Sequence, residues 1–127
     1  MLFRYRNDLP VKDTAQFPLL VSILWEYDGS GSTGMPNNEV LAQMERFEDA
    51  VDPIDDSGAA FLMVVVTGNN RREWIWYTGD TTRFASLLSR TLRGRPKFPL
   101  DLSASEDPGW LTYLAIREAS NPGDSAP

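Results

Sequence analysis

Apolar side chains fill the odd positions of residues 17–27 (Phe17, Leu19, Val21, Ile23, Trp25 and Tyr27), while the even positions Pro18, Leu20, Ser22, Leu24 and Glu26 are mixed. A repeat of two is that of a strand, so this stretch reads as β with one deeply buried face and one partly covered face. After a Gly/Ser-rich loop at 28–34 the period changes. Val40, Leu41, Met44, Phe47 and Val51 share one stripe at helical spacing, with Pro36 placed to open the helix and Pro53 to end it. A polar turn at 55–58 leads to an almost wholly apolar strand, 59–67, and then to an aromatic-rich strand, 71–78. Only Gly68-Asn69-Asn70 separates these two, which predicts an antiparallel hairpin.

Asp80 or Thr81 caps a second helix whose stripe is Phe84, Leu87, Leu88 and Leu92. Arg90 and Arg93 lie in its last turn, Gly94 at its end and Pro96 beyond. Phe98, Leu100 and Leu102 alternate as a fourth strand, which Pro99 assigns to a sheet edge because proline lacks a ladder donor. Residues 108–116 read as a short terminal helix or turn. Residues 1–16 read as an extra strand or a loose arm, and the tail from 119, above all 121–127, as disordered. Strand, helix, strand, strand, helix, strand is the connection order of a ferredoxin-like βαββαβ sandwich. The expectation is an α+β domain over 17–118, with a four-stranded antiparallel sheet and two helices on one face. The first and third strands would be central, the second and fourth edges.

Composition narrows the chemistry. The 127 residues contain no cysteine and no histidine, which removes thiolate and disulfide chemistry, the commonest general base and the commonest metal ligand. The reading is therefore a non-enzyme without cofactor or metal. No apolar run reaches the roughly 18 residues of a membrane span, and Met1-Leu2-Phe3-Arg4-Tyr5-Arg6 lacks the pattern of a signal peptide, so a cytoplasmic location is expected. The formal net charge of −6 is unevenly distributed. Residues 37–58 hold seven acids and one base, a net of −6, whereas residues 71–97 hold seven bases and two acids, a net of +5. The overall charge and the absence of an aromatic RNP signature in 71–77 argue against nucleic acid as partner.

The segment Arg72-Glu73-Trp74-Ile75-Trp76-Tyr77, followed by Asp107-Pro108-Gly109-Trp110 and Tyr113, resembles domain-of-unknown-function family 695. In that family an R-E-W-x-x-Y strand precedes a D-P-x-W-x-x-Y segment. Gly34-Met35-Pro36 and Phe47-Glu48-Asp49 add to the likeness, which runs from about Phe17 to Tyr113. The family motif residues are thus Arg72, Glu73, Trp74, Tyr77, Asp107, Pro108, Trp110 and Tyr113. That family is in turn similar to regulator of ribonuclease activity B, a ferredoxin-like inhibitor that binds its enzyme. The resemblance implies no catalytic residues.

Three constellations invite a functional reading. Gly29-Ser30-Gly31-Ser32-Thr33-Gly34 matches G-x-G-x-x-G, but the second strand turns at once into an antiparallel hairpin where a dinucleotide fold needs a parallel strand. The motif therefore reads as a mobile linker. Glu45, Glu48, Asp49 and Asp52 are spaced to stack along one helix face, either as an attractive surface for a basic partner or as a solvated face. A helical stripe does not converge on a point, which argues against a divalent metal. Trp74 and Trp76 share one strand face. With Ile75 against the helices, both would emerge on an open sheet face, there to anchor a partner or a second copy, unless Trp110, Tyr113 and Leu114 cover it. Asp107 reads as a helix N-cap with Pro108 at the first position. The expected activity is protein binding or regulation through the acidic helix. The alternatives are an immunity-type toxin inhibitor, a hydrolase using carboxylates alone, and a small-ligand sensor that dimerises through its sheet.

Overall fold

The structure, a computed structural model, describes residues 1–120. It is α+β, with strands β1 (Leu2–Tyr5), β2 (Leu19–Glu26), β3 (Ala60–Gly68), β4 (Arg71–Thr78) and β5 (Asp101–Glu106), and helices α1 (Asn38–Asp56), α2 (Thr81–Leu92) and α3 (Leu111–Ser120). The sheet has five strands rather than four, in the order β1-β3-β4-β2-β5, and every neighbouring pair is antiparallel.

β2 and β4 are interior, as their apolar content requires, and β5 is an edge. β3 is not an edge: β1 pairs along it from Leu2 opposite Thr67 to Tyr5 opposite Val64, so the N-terminal arm is the extra strand. The fourth strand also lies further along than expected. Phe98 and Leu100 pack against the core ahead of it, and the paired residues are the polar, exposed Asp101–Glu106. An edge strand covered on neither face has no need of apolar alternation, so the pattern had no signal there.

Both faces of the sheet are covered. On one, Val21, Ile23, Trp25, Val65, Trp74 and Trp76 pack under Met44, Phe47, Val51 and Ile54 of α1 and Phe84 and Leu88 of α2. On the other, Leu20, Met63, Val64, Ile75 and Tyr77 pack under Trp110 and Tyr113, with Leu114 and Ile116 at the margin. A β-bulge at Met63 turns both Met63 and Val64 toward this second face and resets the alternation, so that Leu62 and Val65 face α1 and α2. This arrangement corrects the expectation for the tryptophans. Trp74 and Trp76 point into the α1/α2 layer and are 0% and 1% exposed, while Ile75 points the other way. The open face proposed for a partner or homodimer is the one that the C-terminal segment covers.

Helix ends differ in detail. Asn37, not Pro36, caps α1, its side chain accepting from Val40 N–H. Pro53 does not end the helix. Ile54, buried at its last turn, holds the chain against the core, and the Pro53 carbonyl accepts the Ser57 N–H that closes it. Asp80 caps α2 as expected, through Arg83 N–H. The expected tail begins inside α3 at 119 and 120, and its remainder, 121–127, lies outside the described residues.

The glycine-rich loop is folded rather than a free linker. The chain around it closes on the β3–β4 turn, where Asn69 and Asn70 take positive φ. Gly29 N–H donates to Asn70 Oδ1, Asn70 N–H to the Gly34 carbonyl, and the Tyr27 hydroxyl to that same carbonyl. A Cβ on Gly29 would come within 2.7 Å of Asn70 Oδ1, so the glycine is there for close approach of two loops. Among the described residues no helix is long and apolar enough to cross a membrane.

Candidate functional site

The acidic helix is split into two populations. Glu45, Asp49 and Asp52 are exposed, as is Asp56 one turn further on. None of them takes part in the ion pairs found among the described residues. Glu48, expected in the same stripe, turns inward. Its Oε2 accepts from Trp74 Nε1 at 2.8 Å and from Arg4 Nη2 at 2.6 Å, and Arg72 Nη1 lies 3.5 Å away. Glu48 thus neutralises two guanidinium groups and satisfies a buried indole, which is a structural task. Arg72 is itself buried and also donates from Nε to Thr67 Oγ1. Burial lowers its pKa from the ordinary arginine value, and the charge of Glu48 opposes that shift.

Asp55 is likewise occupied: it accepts from Arg6 Nη2 at 2.9 Å and from Leu62 N–H at 2.8 Å. Arg4 belongs to β1 and Arg6 follows directly after it, and the alternation places Arg4 and Arg6 toward α1, and Phe3 and Tyr5 toward α3. Sequence reasoning missed these two arginines, although Phe3-Arg4-Tyr5-Arg6 carries a period-two signal. Between β1 and α1 they floor a cleft of about 450 Å³, with Trp76 and Leu62 in its wall and Asp49, Asp52 and Asp56 along its rim. Among the described residues, buried Nη1 of Arg6 and Nε1 of Trp76 have no hydrogen-bond partner.

The motif residues of the C-terminal segment gather on the opposite side of the sheet. The Tyr77 hydroxyl donates to Asp107 Oδ2 at 2.6 Å, and Asp107 accepts the Leu111 and Thr112 N–H groups that begin α3. The carboxylate therefore caps the helix as expected, but Pro108 precedes the helix, and Trp110, at positive φ, forms the turn into it. Trp110 stacks on Tyr77 with ring centroids 4.4 Å apart and donates from Nε1 to the Phe17 carbonyl. Tyr113 donates to the Arg6 carbonyl and stands edge-on to Trp110. Burial, with the neighbouring Asp107 carboxylate, raises the Tyr77 phenol well above its ordinary pKa. Burial alone would raise Asp107, but hydrogen bonds from Tyr77, Thr112 and Leu111 prevail and lower it.

Glu73 sits four residues from Tyr77 on the same strand, roughly 13 Å at strand rise, and is held by the Ser22 hydroxyl. It therefore lies well apart from Asp107, the other acid of the family motif. Among the described residues no group of three metal-ligating side chains converges.

The residues that fasten β4 to α3 lie within the stretch matched by a family model. The model of a family of unknown function, DUF695, matches residues 2–116, from the start of β1 into α3. The chain belongs to the DUF695 family. The match takes in β1, which the likeness seen from Phe17 onward left out, so Arg4 in that strand and Arg6 just after it are part of the DUF695 unit. No curated protein and no solved structure matches the chain significantly, and the further likeness to regulator of ribonuclease activity B finds no support in these comparisons.

Proposed function

We propose that this DUF695 protein is a non-catalytic binding module that takes a basic protein partner on the exposed acidic side of α1. The observation that carries this reading is the division of the helix. Glu48 and Asp55 are used up inside the molecule, whereas Glu45, Asp49 and Asp52 project to solvent and form no ion pair among the described residues. Carboxylates at i, i+4 and i+7 repel one another, a cost that a solvated stripe bears unless a partner's positive charge relieves it. Such a surface speeds association and favours partners of opposite sign. The connection order of β2 to β5 with α1 and α2 supports a ferredoxin-like unit to which β1 and α3 have been added. A regulatory role in the cytoplasm fits a chain of this kind.

The test is capture from native cell extract by wild type and by the triple charge reversal Glu45→Lys, Asp49→Lys, Asp52→Lys, at low and high salt. Glu48 is left intact because its loss would disturb folding. Capture of a basic protein by wild type, lost in the triple variant and weakened by salt, supports the reading. Capture unchanged by charge reversal eliminates this surface.

A further inference from the structure

The cleft between β1 and α1 combines two demands that few ligands meet together. At its floor and wall are two buried donors with no partner among the described residues: Nη1 of Arg6, whose Nη2 is already committed to Asp55, and Nε1 of Trp76, in a side chain 1% exposed. Trp74, two residues away on the same strand face, shows the ordinary outcome, its indole donating to Glu48. A buried N–H without an acceptor is unfavourable, and most such groups in folded proteins find one. At the rim, Asp49, Asp52 and Asp56 present carboxylates that form no ion pair among the described residues. A free anion would satisfy the donors but meet the repulsion of the rim. A polyamine would satisfy the rim but offers no acceptor oxygen.

We propose that this cleft binds an extended lysine- or arginine-bearing polypeptide segment, with a main-chain carbonyl accepting from Arg6 Nη1 and Trp76 Nε1 and the adjacent cationic side chain lying against Asp49 and Asp52. A basic residue in a peptide carries both requirements within one residue. The inference rests on the reading of α1 as the surface for a basic partner, and deepens it by naming where on α1 the partner's chain is gripped.

The experiment is an NMR titration of the ¹⁵N-labelled full chain with an acetylated, amidated hexapeptide of alternating arginine and glycine. The chain has four tryptophans, so the indole N–H signals are separable, and that of Trp76 is assigned by its through-space contact with the ring of Phe84, which packs beside it. The expected result is a saturable downfield shift of the Trp76 indole with those of Trp25, Trp74 and Trp110 unmoved. The exposed double variant Asp49→Asn, Asp52→Asn is expected to bind about tenfold more weakly, since both carboxylates that face the cationic side chain lose their charge. Butylguanidinium, a cation with no acceptor, should leave Trp76 unmoved. Peptide binding that shifts α1 amides but not the Trp76 indole overturns the cleft and leaves the acidic-surface reading standing. No peptide binding at low salt also overturns the cleft, while the capture experiment judges the surface separately. An equal shift from butylguanidinium overturns the carbonyl contact.

Discussion

The two faces of the sheet solve the same problem differently. On the α3 side the polar groups of the aromatic cluster are used: Tyr77 donates to Asp107, Trp110 to Phe17, Tyr113 to Arg6, and Asp107 also takes two backbone N–H groups. On the α1 side, Trp74 is satisfied by Glu48, yet Trp76 and Arg6 keep donors without a partner among the described residues, beside exposed carboxylates. A closed network of this kind fixes a structure, because its members have little left to offer a ligand. Donors and charges left over at a cleft are what recognition needs. The motif through which the sequence resembles the family thus lies largely on the closed side, and the surface proposed for binding on the open one.

If the closed side is structural, breaking it should cost stability more than any change on the open side. Trp110→Ala removes a fully buried ring stacked on Tyr77 and is expected to cost about 3–5 kcal/mol, with α3 released from the sheet, as read by urea unfolding and by hydrogen exchange of α3 amides. A cost near that of a surface substitution would mean that α3 is not held by this stack. Next comes Glu48→Ala, which leaves the Trp74 indole without its acceptor and the Arg72 guanidinium without its counterion. Because Glu48 and Arg4 are partly solvated, the expected loss is about 2 kcal/mol, below that for a fully buried pair. Glu48→Gln should recover part of it, since an amide oxygen still accepts from the indole.

The Tyr77–Asp107 bond gives the closed side a pH signature. Asp107 is lowered in the folded state, so its contribution is complete above the unfolded aspartate value of about 3.9 and is lost as pH falls through the lower folded value. Tyr77 is raised, so its contribution is complete below the unfolded value of about 10 and is lost as pH climbs above it. Tyr77→Phe is expected to cost about 1 kcal/mol at neutral pH and to flatten the alkaline limb of urea midpoints plotted against pH. The limb should not vanish, because burial raises Tyr27 as well. Curves for wild type and variant that run parallel above pH 10 would show that this hydroxyl is not the group responsible.

Much of the frame was legible in the chain. The odd-position run from Phe17 to Tyr27, the stripe from Val40 to Val51 and the short Gly68-Asn69-Asn70 connection specify β2, α1 and the β3–β4 hairpin, because each buries a full face and so imposes its own period. What was left open, displaced or missed lacks such a period or depends on a partner element. β5 is polar and exposed, β1 is four residues long, and the bulge at Met63 inverts the alternation halfway along β3. The orientation of Trp74 and Trp76 could not follow from period two alone, since alternation says that they share a face but not which one. The inward turn of Glu48 is likewise set by Arg4 and Arg72, distant in sequence, and nothing in its i, i+3 spacing separates it from Asp49 and Asp52.

That separation is where the smallest stability effect becomes the most informative. Neutralising Glu45, Asp49 and Asp52 together (Glu45→Gln, Asp49→Asn, Asp52→Asn) removes mutual repulsion along α1 and touches no side-chain hydrogen bond among the described residues, so stability should rise by about a few tenths of a kcal/mol at low salt. The gain should fade as salt screens the charges. Glu48→Ala moves stability in the opposite direction and is far less sensitive to salt, because its partners are partly buried. The contrast is measurable by urea midpoints at two ionic strengths. If the triple variant instead loses stability, the exposed carboxylates hold contacts within the fold and the division of α1 into internal and external acids is wrong. If it gains stability while capture of a basic partner is lost, the wild-type chain retains an unfavourable charge array that improves binding at the expense of folding, as expected of a surface retained for recognition.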